Sequence, residues 1–256
     1  MRVVVFSDVH GNLTALEAVL ADIERQPALD AVVFAGDACL FGPRPGACAQ
    51  RIQESVTAAV YGNTDEWIDR PLPLDEAAPA ATQERVRFIQ AMATWTQAEM
   101  DPAGLQWLRA LPFAERISPT GNPQDDLLIV HANPRDVMGV IYPPEDIQTS
   151  RMGGLKQTDE ALAVMLDGTP AGGIAFGHLH FPNVRYWGSV LLANISSVSL
   201  PGDGDPRAKY GLLTWDGRRW SVTHHYVPYD LEAEIAAFET AQPPEWEAAV
   251  RQLAAN

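Results

Sequence analysis

The chain has 256 residues, of which 46% are hydrophobic and 20% are charged, and its formal net charge is -15 at pH 7. This composition excludes a disordered or fibrous protein and is typical of a globular protein with a sizeable core. A net charge of this sign repels phosphate backbones, so nucleic acid is not an expected partner, and a small anionic substrate would need local positive charge such as metal ions.

Two features of the sequence bear on its location. Met1 and Arg2 precede only a short apolar run, and no later stretch approaches the ~20 apolar residues that a membrane span needs. The two cysteines, Cys39 and Cys48, are too few for a disulfide framework. We therefore expect a cytoplasmic protein with reduced thiols and no membrane partner.

The first quarter of the chain alternates strand patterns with helical patterns. Apolar runs predict strands at 3–6, 30–35 and 56–61, and helices are predicted at 13–23 and near 47–54. Asn12 is placed to cap the first of these helices, and Pro27 stops it. Successive β-α-β units of this kind form a largely parallel sheet, with the ligand site beyond the carboxyl ends of its strands.

Residues from about 69 to 125 have a different character from the units before them. The segment begins rich in proline and then predicts helices at 85–99 and near 104–111. Trp67, Trp95 and Trp107 lie in or beside it. We interpret it as a helical insertion, or cap, within a single domain that spans residues 1–256. Two compatible roles are expected for its aromatic side chains: packing onto the sheet, and shaping a lid over the substrate.

The second half of the chain returns to strand character. The predicted strands lie at 127–130, 173–176, 184–187, 190–194, 210–215 and 220–227, and the predicted helices at 155–166, 231–239 and 244–254. Several of the short strands are separated by glycine-rich turns, which is typical of antiparallel pairs. We expect this half to form a sheet of its own, packed against the first.

Polar residues follow the predicted strands at the points where the strands end. Asp8 and His10 are two residues apart, so in an extended segment their side chains leave from the same side and can reach one ion together. An isolated pair of this kind is more often a helix cap and a turn residue. Further polar residues stand at the ends of later strands: Asp37, Asn63, His131, His178 and His180. Carboxylates and imidazoles together suit divalent manganese, iron or zinc.

Glycines 36, 62 and 177 each directly precede one of these polar residues. Without a Cβ atom the backbone can turn sharply there and come close to a bound ion or phosphate. The order of the motifs "SDVHGN", "AGDACLFGP", "YGNTD", "VHANP" and "FGHLH" resembles that of the calcineurin-like metallophosphoesterase superfamily. The later stretch "NISSVSLPGDGDPR" is similar to "NPGSVGLPRDGDPR" of its small bacterial phosphodiesterase-like branch.

This resemblance covers most of the chain and implies both a fold and a metal centre. The implied fold is α/β, an αββα sandwich of two mixed β-sheets flanked by helices. The implied ligands of one divalent ion are Asp8, His10, Asp37 and His180, and those of a second ion are Asp37, Asn63, His131 and His178. Asp37 would bridge the two ions, as a two-metal centre requires a shared anionic ligand. Manganese is the first expectation, with iron, zinc, nickel or magnesium as alternatives.

The implied activity is hydrolysis of phosphodiesters or activated phosphomonoesters by attack of a metal-bridging hydroxide. The seven ligands would be the catalytic residues, with Asn63 and Arg135 also binding substrate. Arg44 and Arg207 are weaker candidates for a phosphate contact, and Asp65 and Asn12 for orienting the ligands. The expected partner is a small phosphate ester, with nucleotides among the options.

The sequence departs from its relatives at two points. Members with strong monoesterase activity carry a histidine after the asparagine, where this chain has Thr64, and a threonine cannot act as a general acid near neutral pH. Aryl or nucleotidyl esters should therefore react better than esters of poor leaving groups. The arginine motif "GDxxDRG" of the protein phosphatases is also missing, which argues against phosphoprotein substrates. The alternative function is a non-catalytic, metal-binding scaffold of the same fold.

Overall fold

Two mixed β-sheets form the centre of this structure, a computed structural model that describes residues 1–254. The strands are β1 (Arg2–Phe6), β2 (Ala31–Ala35), β3 (Ala58–Val60), β4 (Ala114–Ile117), β5 (Leu127–Val130), β6 (Gly173–Phe176), β7 (Asn183–Trp187), β8 (Val190–Asn194), β9 (Ala208–Trp215) and β10 (Trp220–Val227). The first sheet has the order β10-β9-β1-β2-β3 and the second β4-β5-β6-β8-β7.

The parallel strands of the two sheets position the site. In the first sheet β1, β2 and β3 run parallel, while β9 and β10 are antiparallel additions. In the second, β5, β6 and β8 run parallel and β4 and β7 are antiparallel edge strands. Because the carboxyl ends of parallel strands share an edge of their sheet, the polar turns after them are brought together there.

Helices cover the outer faces of both sheets. They are α1 (Leu13–Glu24), α2 (Pro45–Ser55), α3 (Asn63–Asp69), α4 (Ala80–Ala98), α5 (Pro102–Ala110), α6 (Glu145–Arg151), α7 (Asp159–Leu166), α8 (Leu231–Ala241) and α9 (Trp246–Ala254). The side chain of Asn12 caps α1 by accepting a hydrogen bond from the Ala15 amide at 2.9 Å, and the helix ends before Pro27, as predicted. None of the helices in residues 1–254 is long and apolar enough to cross a membrane.

The strand β1 shows why the two sheets face each other. Val3 and Val5 belong to the core between the sheets, whereas Val4 and Phe6 belong to the core beneath the helices of the first sheet. A strand buried on both faces is apolar at every position, because successive side chains point to opposite faces. A third core lies between the second sheet and α7. The predicted α/β fold, an αββα sandwich of two mixed sheets, is confirmed.

The prediction that the second half forms a sheet of its own is confirmed for β5, β6, β7 and β8 and wrong for β9 and β10. The strands β9 and β10 return to the first sheet, where Val4 of β1 pairs with Leu212 of β9 in an antiparallel register. The alternation of side chains along a strand tells which face is buried. It does not tell which edge the strand joins, because that depends on contacts distant in sequence.

The helix predicted over 155–166 also differs from the structure. Within that span the structure has α7, which ends at the predicted residue and starts at Asp159, later than predicted. The helix α6 lies before the span and was not predicted, and Gly153 and Gly154 between the two helices both have positive φ angles, which end a helix. The second helix begins only after Thr158, whose hydroxyl accepts a hydrogen bond from the Ala161 amide at 3.3 Å.

The segment 69–125 contains the helices α4 and α5, and it also contains β4, which pairs with β5 in the second sheet. The helical part therefore ends before Ala114. Trp67, Trp95 and Trp107 pack against the core beneath the helices of the first sheet. That the segment is an insertion within one domain stays a prediction.

Candidate metal centre

Five loops from both sheets meet at one edge of the sandwich. The pairing of β1 with β2 continues past the strands, where the His10 amide donates to the Asp37 carbonyl at 3.0 Å. His131, at the end of β5 in the second sheet, reaches the Ala35 carbonyl at the end of β2 with its Nδ1 atom, at 2.9 Å. The loop after β6 joins them, since the His178 amide donates to Asp8 Oδ2 at 3.1 Å. The site therefore lies at the junction of the two sheets.

Five of the predicted ligands have a left-handed backbone. The φ angles are 56° for Asp8, 49° for His10, 64° for Asp37, 63° for His178 and 58° for His180. The expectation that Asp8 and His10 sit on an extended segment is therefore wrong, although both side chains do reach one place. Residues other than glycine adopt this conformation at an energetic cost, and such residues concentrate at functional sites.

One part of the site gathers two carboxylates and two imidazoles. Asp8 Oδ1 lies 3.0 Å from His180 Nε2 and 3.9 Å from His10 Nε2. The two imidazole nitrogens, His10 Nε2 and His180 Nε2, are 3.3 Å apart, and Asp37 Oδ2 is 3.8 Å from the former. The Asp8, His10 and His180 donor atoms lie within 4.8 Å of one another, a spacing that can hold a metal ion.

The other part adjoins the first through Asp37. Asp37 Oδ1 lies 3.5 Å from His131 Nε2, so the two oxygens of this carboxylate face different histidines. The same His131 nitrogen is 2.9 Å from Asn63 Oδ1 and 3.1 Å from His178 Nδ1. Asn63 is the first residue of α3, a helix that the sequence patterns did not predict. All seven predicted ligands are thus brought together.

Each of the four imidazoles uses one ring nitrogen to contact a backbone carbonyl. The pairs are His10 Nδ1 with Leu40 O at 3.1 Å, His131 Nδ1 with Ala35 O at 2.9 Å, His178 Nε2 with Met138 O at 3.0 Å, and His180 Nδ1 with Leu200 O at 2.7 Å. A carbonyl can only accept, so in the neutral ring the proton sits on that nitrogen, and the other nitrogen turns a lone pair toward the site.

The nitrogens that carry these lone pairs face each other in two pairs. His10 Nε2 lies 3.3 Å from His180 Nε2, and His131 Nε2 lies 3.1 Å from His178 Nδ1. Contacts of this kind are repulsive unless a cation lies among them. Burial lowers the pKa of both His10 and His178, which disfavours a proton on these rings. In His131 and His180 the neighbouring carboxylates, Asp37 and Asp8, outweigh burial and raise the pKa, so either a metal ion or a proton can relieve the repulsion within each pair. Four imidazole nitrogens and two buried carboxylates therefore form a donor set that fits divalent metal ions.

Asp65 holds the loop that carries Asp37. Its carboxylate is buried and accepts hydrogen bonds from the amides of Asp37 and Ala38, each at 2.8 Å, and of Gly62 at 2.9 Å. Burial, and then the neighbouring Asp37 carboxylate, raise the pKa of Asp65 to about 7. The sequence expectation for this residue was orientation of ligands, and its contacts are with the backbone of the ligand loops. Asn12, the other candidate, caps α1 and donates to Ser199 Oγ at 3.3 Å.

Residues 194–200 donate hydrogen bonds to the backbone of the loops that carry Asp8 and His178, a role that the sequence did not predict. Ser197 Oγ donates to the Asp8 carbonyl at 3.0 Å, and the Ser199 amide donates to the same oxygen at 3.1 Å. Asn194 Nδ2 donates to the Gly177 carbonyl at 2.7 Å, beside His178. The similarity of this stretch to that of the phosphodiesterase-like branch was the available signal.

All three glycines that precede predicted ligands are required by close packing. A Cβ atom on Gly36, whose φ angle is 92°, would lie 2.6 Å from the Gly62 amide nitrogen and 2.8 Å from His131 Nδ1. A Cβ atom on Gly177 would overlap the side chains of Ser7 and Asp8, and one on Gly62 would overlap Asp37 Oδ1 and lie 2.6 Å from the Asp37 amide nitrogen. The close approach expected at these glycines is confirmed, and the backbone approaches the ligand side chains themselves. A side chain at any of these positions would displace a ligand.

Replacing Gly62 with alanine is expected to lower the free energy of unfolding by about 2 kcal/mol, since the added methyl group overpacks a closed site. Displacement of Asp37 should also weaken metal binding. Thermal unfolding and metal titration would measure the two effects. Gly202→Ala is the matched control, because a Cβ atom there lies 3.4 Å from its nearest neighbour, the His180 carbonyl oxygen, which is ordinary van der Waals contact. Equal behaviour of the two variants would contradict the prediction.

The three candidate arginines are all engaged by other groups. Arg135 donates to the carbonyls of Met165, at 3.1 Å, and Asp167. Arg207 forms an ion pair with Asp205 at 2.5 Å. The structure therefore turns both guanidiniums toward protein acceptors outside the ligand cluster, and the substrate contact predicted for Arg135 has no support in its present orientation.

Arg44, the third, forms an ion pair with the fully buried Glu234 and donates to Thr14 Oγ1 at 2.5 Å. Arg44→Ala should leave the buried Glu234 carboxylate without a countercharge, with only the Thr14 hydroxyl donating to it at 2.7 Å, at a cost of about 3 kcal/mol in unfolding free energy. Chemical denaturation would measure this loss. The double variant with Glu234→Leu removes the orphaned charge and should recover most of the stability. If Arg44→Ala instead raised KM with stability unchanged, Arg44 would be a substrate contact.

Thr64 occupies the position of the histidine in relatives with strong monoesterase activity. Its amide donates to Asp37 Oδ1 at 2.9 Å, and its buried hydroxyl has no hydrogen-bond partner among the described residues. The backbone of Thr64 thus serves the metal site, and its side chain supplies no acidic proton.

Known proteins resemble this chain over nearly its whole length. Phosphodiesterase YfcE of Escherichia coli K12 is 26% identical over 226 residues, covering 84% of this chain and 89% of its own. An uncharacterized protein of Methanocaldococcus jannaschii is 24% identical over 261 residues, covering 95% and 94%. The crystal structure of a metallophosphoesterase from Sphaerobacter thermophilus has 29% identity and a TM-score of 0.72, covering 99% of this chain and 98% of that one.

The sequence profile of the calcineurin-like phosphoesterase superfamily domain matches residues 1–218, a span that includes all seven predicted ligands. The resemblance predicted from the sequence motifs is confirmed. The chain belongs to the calcineurin-like phosphoesterase superfamily.

Proposed function

We propose that this chain is a metal-dependent hydrolase of phosphate esters that holds two divalent ions and cleaves phosphodiesters or activated phosphomonoesters. Its family and its similarity to a phosphodiesterase support the reaction class. The observation that carries the proposal is the set of four imidazoles whose free nitrogens surround two buried carboxylates.

The proposed ligands of one ion are Asp8, His10, Asp37 and His180, and those of the other are Asp37, Asn63, His131 and His178. The placement of Asp37 supports this division, because one of its oxygens faces His10 and the other faces His131. A carboxylate in this position can bind both ions at once. The backbone carbonyls behind the imidazoles hold the rings in the orientation that binding needs.

Bound divalent ions would supply a water of lowered pKa and positive charge for the phosphoryl oxygens. The chain's own residues orient and complete the site. Asn63 points its Oδ1 atom at His131 Nε2, which leaves its amide N–H groups as donors for a phosphoryl oxygen. Asp65 keeps the Asp37 loop in place through three backbone hydrogen bonds.

We further propose manganese as the bound metal and the cytoplasm as the location. Mixed carboxylate and imidazole donors suit manganese, with iron, zinc, nickel and magnesium as competitors for the same ligands. Both thiols, Cys39 and Cys48, are buried and unpaired, as they would be in a reducing compartment. Small phosphate esters, including nucleotides, are the proposed substrates.

The test is hydrolysis of bis-p-nitrophenyl phosphate by protein stripped with a chelator and then reconstituted with manganese. We expect activity only after reconstitution, and two ions per chain by elemental analysis. Two bound ions without activity on any ester of a substrate panel would instead support the non-catalytic scaffold. Binding of no divalent ion would contradict both functions.

A further inference from the structure

An apolar pocket of about 270 Å³ lies beside the metal centre and shares His10 with it. Its walls come from the loops after β1, β2 and β8, the first two of which carry proposed metal ligands, and from the helices α4, α8 and α9, which carry none. Its polar lining residues are Asn12, Ser199, Glu245 and Gln252. The principal side chains that line it are Phe41, Phe88, Met92, Phe238, Ala249 and Leu253. The pocket is therefore continuous with the site and chemically different from it.

Phe41 is held in an unfavourable backbone conformation at the border between pocket and site. Its φ angle is 87°, which is rare for a bulky residue, and its ring centroid lies 5.7 Å from that of His10. The chain turns tightly after it, since a Cβ atom on Gly42 would overlap the His10 carbonyl oxygen. Strain of this kind persists where the surrounding structure imposes it, and it concentrates at ligand contacts.

The aromatic walls are arranged as one stack. The rings of Phe41 and Phe88 have centroids 6.0 Å apart and planes inclined by only 16°. Met92 adds a polarisable thioether to the same wall. Planar aromatic rings pack favourably against such faces and edges, whereas a carbohydrate or a charged group would lose hydrogen bonds to water there.

We infer that this pocket binds an aromatic ring carried by the phosphate ester, while the phosphate itself lies at the metal centre. The inference rests on the proposed function and names its substrate class: esters of aryl or nucleobase-containing groups. It agrees with an independent feature, since Thr64 supplies no proton to a leaving group and aryl leaving groups need none. Phe41, Phe88 and Ala249 are then specificity-determining residues.

The test compares two non-hydrolysable probes, phenylphosphonate and methylphosphonate, which differ only in the ring. We expect the manganese-loaded protein to bind phenylphosphonate about 10-fold more tightly by calorimetry, because the ring leaves water for the pocket. A second pair, the methylenephosphonate analogues of adenosine 5'-monophosphate and ribose 5-phosphate, in which CH2 replaces the ester oxygen, tests whether the ring is a nucleobase. A preference in this pair identifies the nucleobase, and a preference in the phosphonate pair alone identifies a simple aryl group.

Filling the pocket should remove the preference. Ala249→Trp places a large side chain in the pocket from α9, and we expect the two phosphonates to bind it with equal affinity. Arg251→Trp is the matched control on the same helix, at a position whose side chain is 71% exposed and does not line the pocket. If Ala249→Trp fails to fold, Phe88→Ala tests the inference instead. This variant should weaken the binding of phenylphosphonate and leave that of methylphosphonate unchanged.

Equal affinity of the two phosphonates for the unmodified protein would overturn the inference, as would an undiminished preference in the folded pocket variants. These outcomes are distinct from failure of the proposed function. Binding is measured without turnover, so a protein inactive on every ester can still show the ring preference, and an active enzyme can lack it.

Discussion

Replacing Asp37 with asparagine is expected to reduce kcat/KM for bis-p-nitrophenyl phosphate by about 1000-fold or more. The Asp37 carboxylate turns one oxygen toward His10 and the other toward His131, and an amide offers a single neutral oxygen in place of two charged ones. The variant should also retain fewer than two ions per chain after dialysis, as measured by elemental analysis.

The stability of the metal-free variant separates this effect from unfolding. Burial, and then the nearby Asp37 carboxylate, raise the pKa of Asp65, as expected for two buried carboxylates that repel each other. Removing one charge relieves that repulsion, so the metal-free Asp37→Asn protein should melt at least as high as the parent. Asp159→Asn, at a half-exposed ion pair with Arg185, is the matched control and should remain fully active. Full activity and two bound ions in Asp37→Asn would refute the proposed metal centre.

The rate should also depend steeply on the leaving group. A positioned general acid contributes about 100- to 10,000-fold by protonating the leaving oxygen, and Thr64 cannot do so. We therefore expect kcat/KM to fall by about 100-fold or more between p-nitrophenyl and alkyl leaving groups on a common methyl phosphate frame. A series of substituted phenyl methyl phosphates, plotted against the pKa of the released phenol, measures this dependence.

Thr64→Val is the control for that series. Valine has nearly the shape of threonine without the hydroxyl, and within residues 1–254 the buried Thr64 hydroxyl has no hydrogen-bond partner to lose. The variant should therefore keep the slope and lose no stability in a thermal melt. A flat series in the parent protein would reveal another proton donor in the site.

Local patterns predicted the layers of this fold well. The continuous apolar run of β1 implied a strand covered on both faces, and its side chains do divide between two cores. The cap at Asn12 and the stop before Pro27 follow from local hydrogen bonding and backbone chemistry. Such features depend on neighbours within a few residues, so the sequence contains the information directly.

Local sequence patterns did not predict which sheet each strand joins or where a helix is interrupted. Nothing in the alternation along β9 distinguishes the edge of β1 from an edge of the second sheet, and β9 joined the former. The pair Gly153 and Gly154 stands ahead of a stretch with helical periodicity, and only the structure shows both in conformations that end a helix.

For the site, the sequence by itself determined the donor chemistry: two carboxylates, an amide and four imidazoles at the ends of successive strands. Tertiary structure alone decided their conformation and partners, including the left-handed backbone at Asp8 and His10. It also paired Arg44 and Arg135 with protein acceptors that the sequence did not indicate. The reason is distance along the chain, since Asp8 and His180 are 172 residues apart and meet only when both sheets have packed.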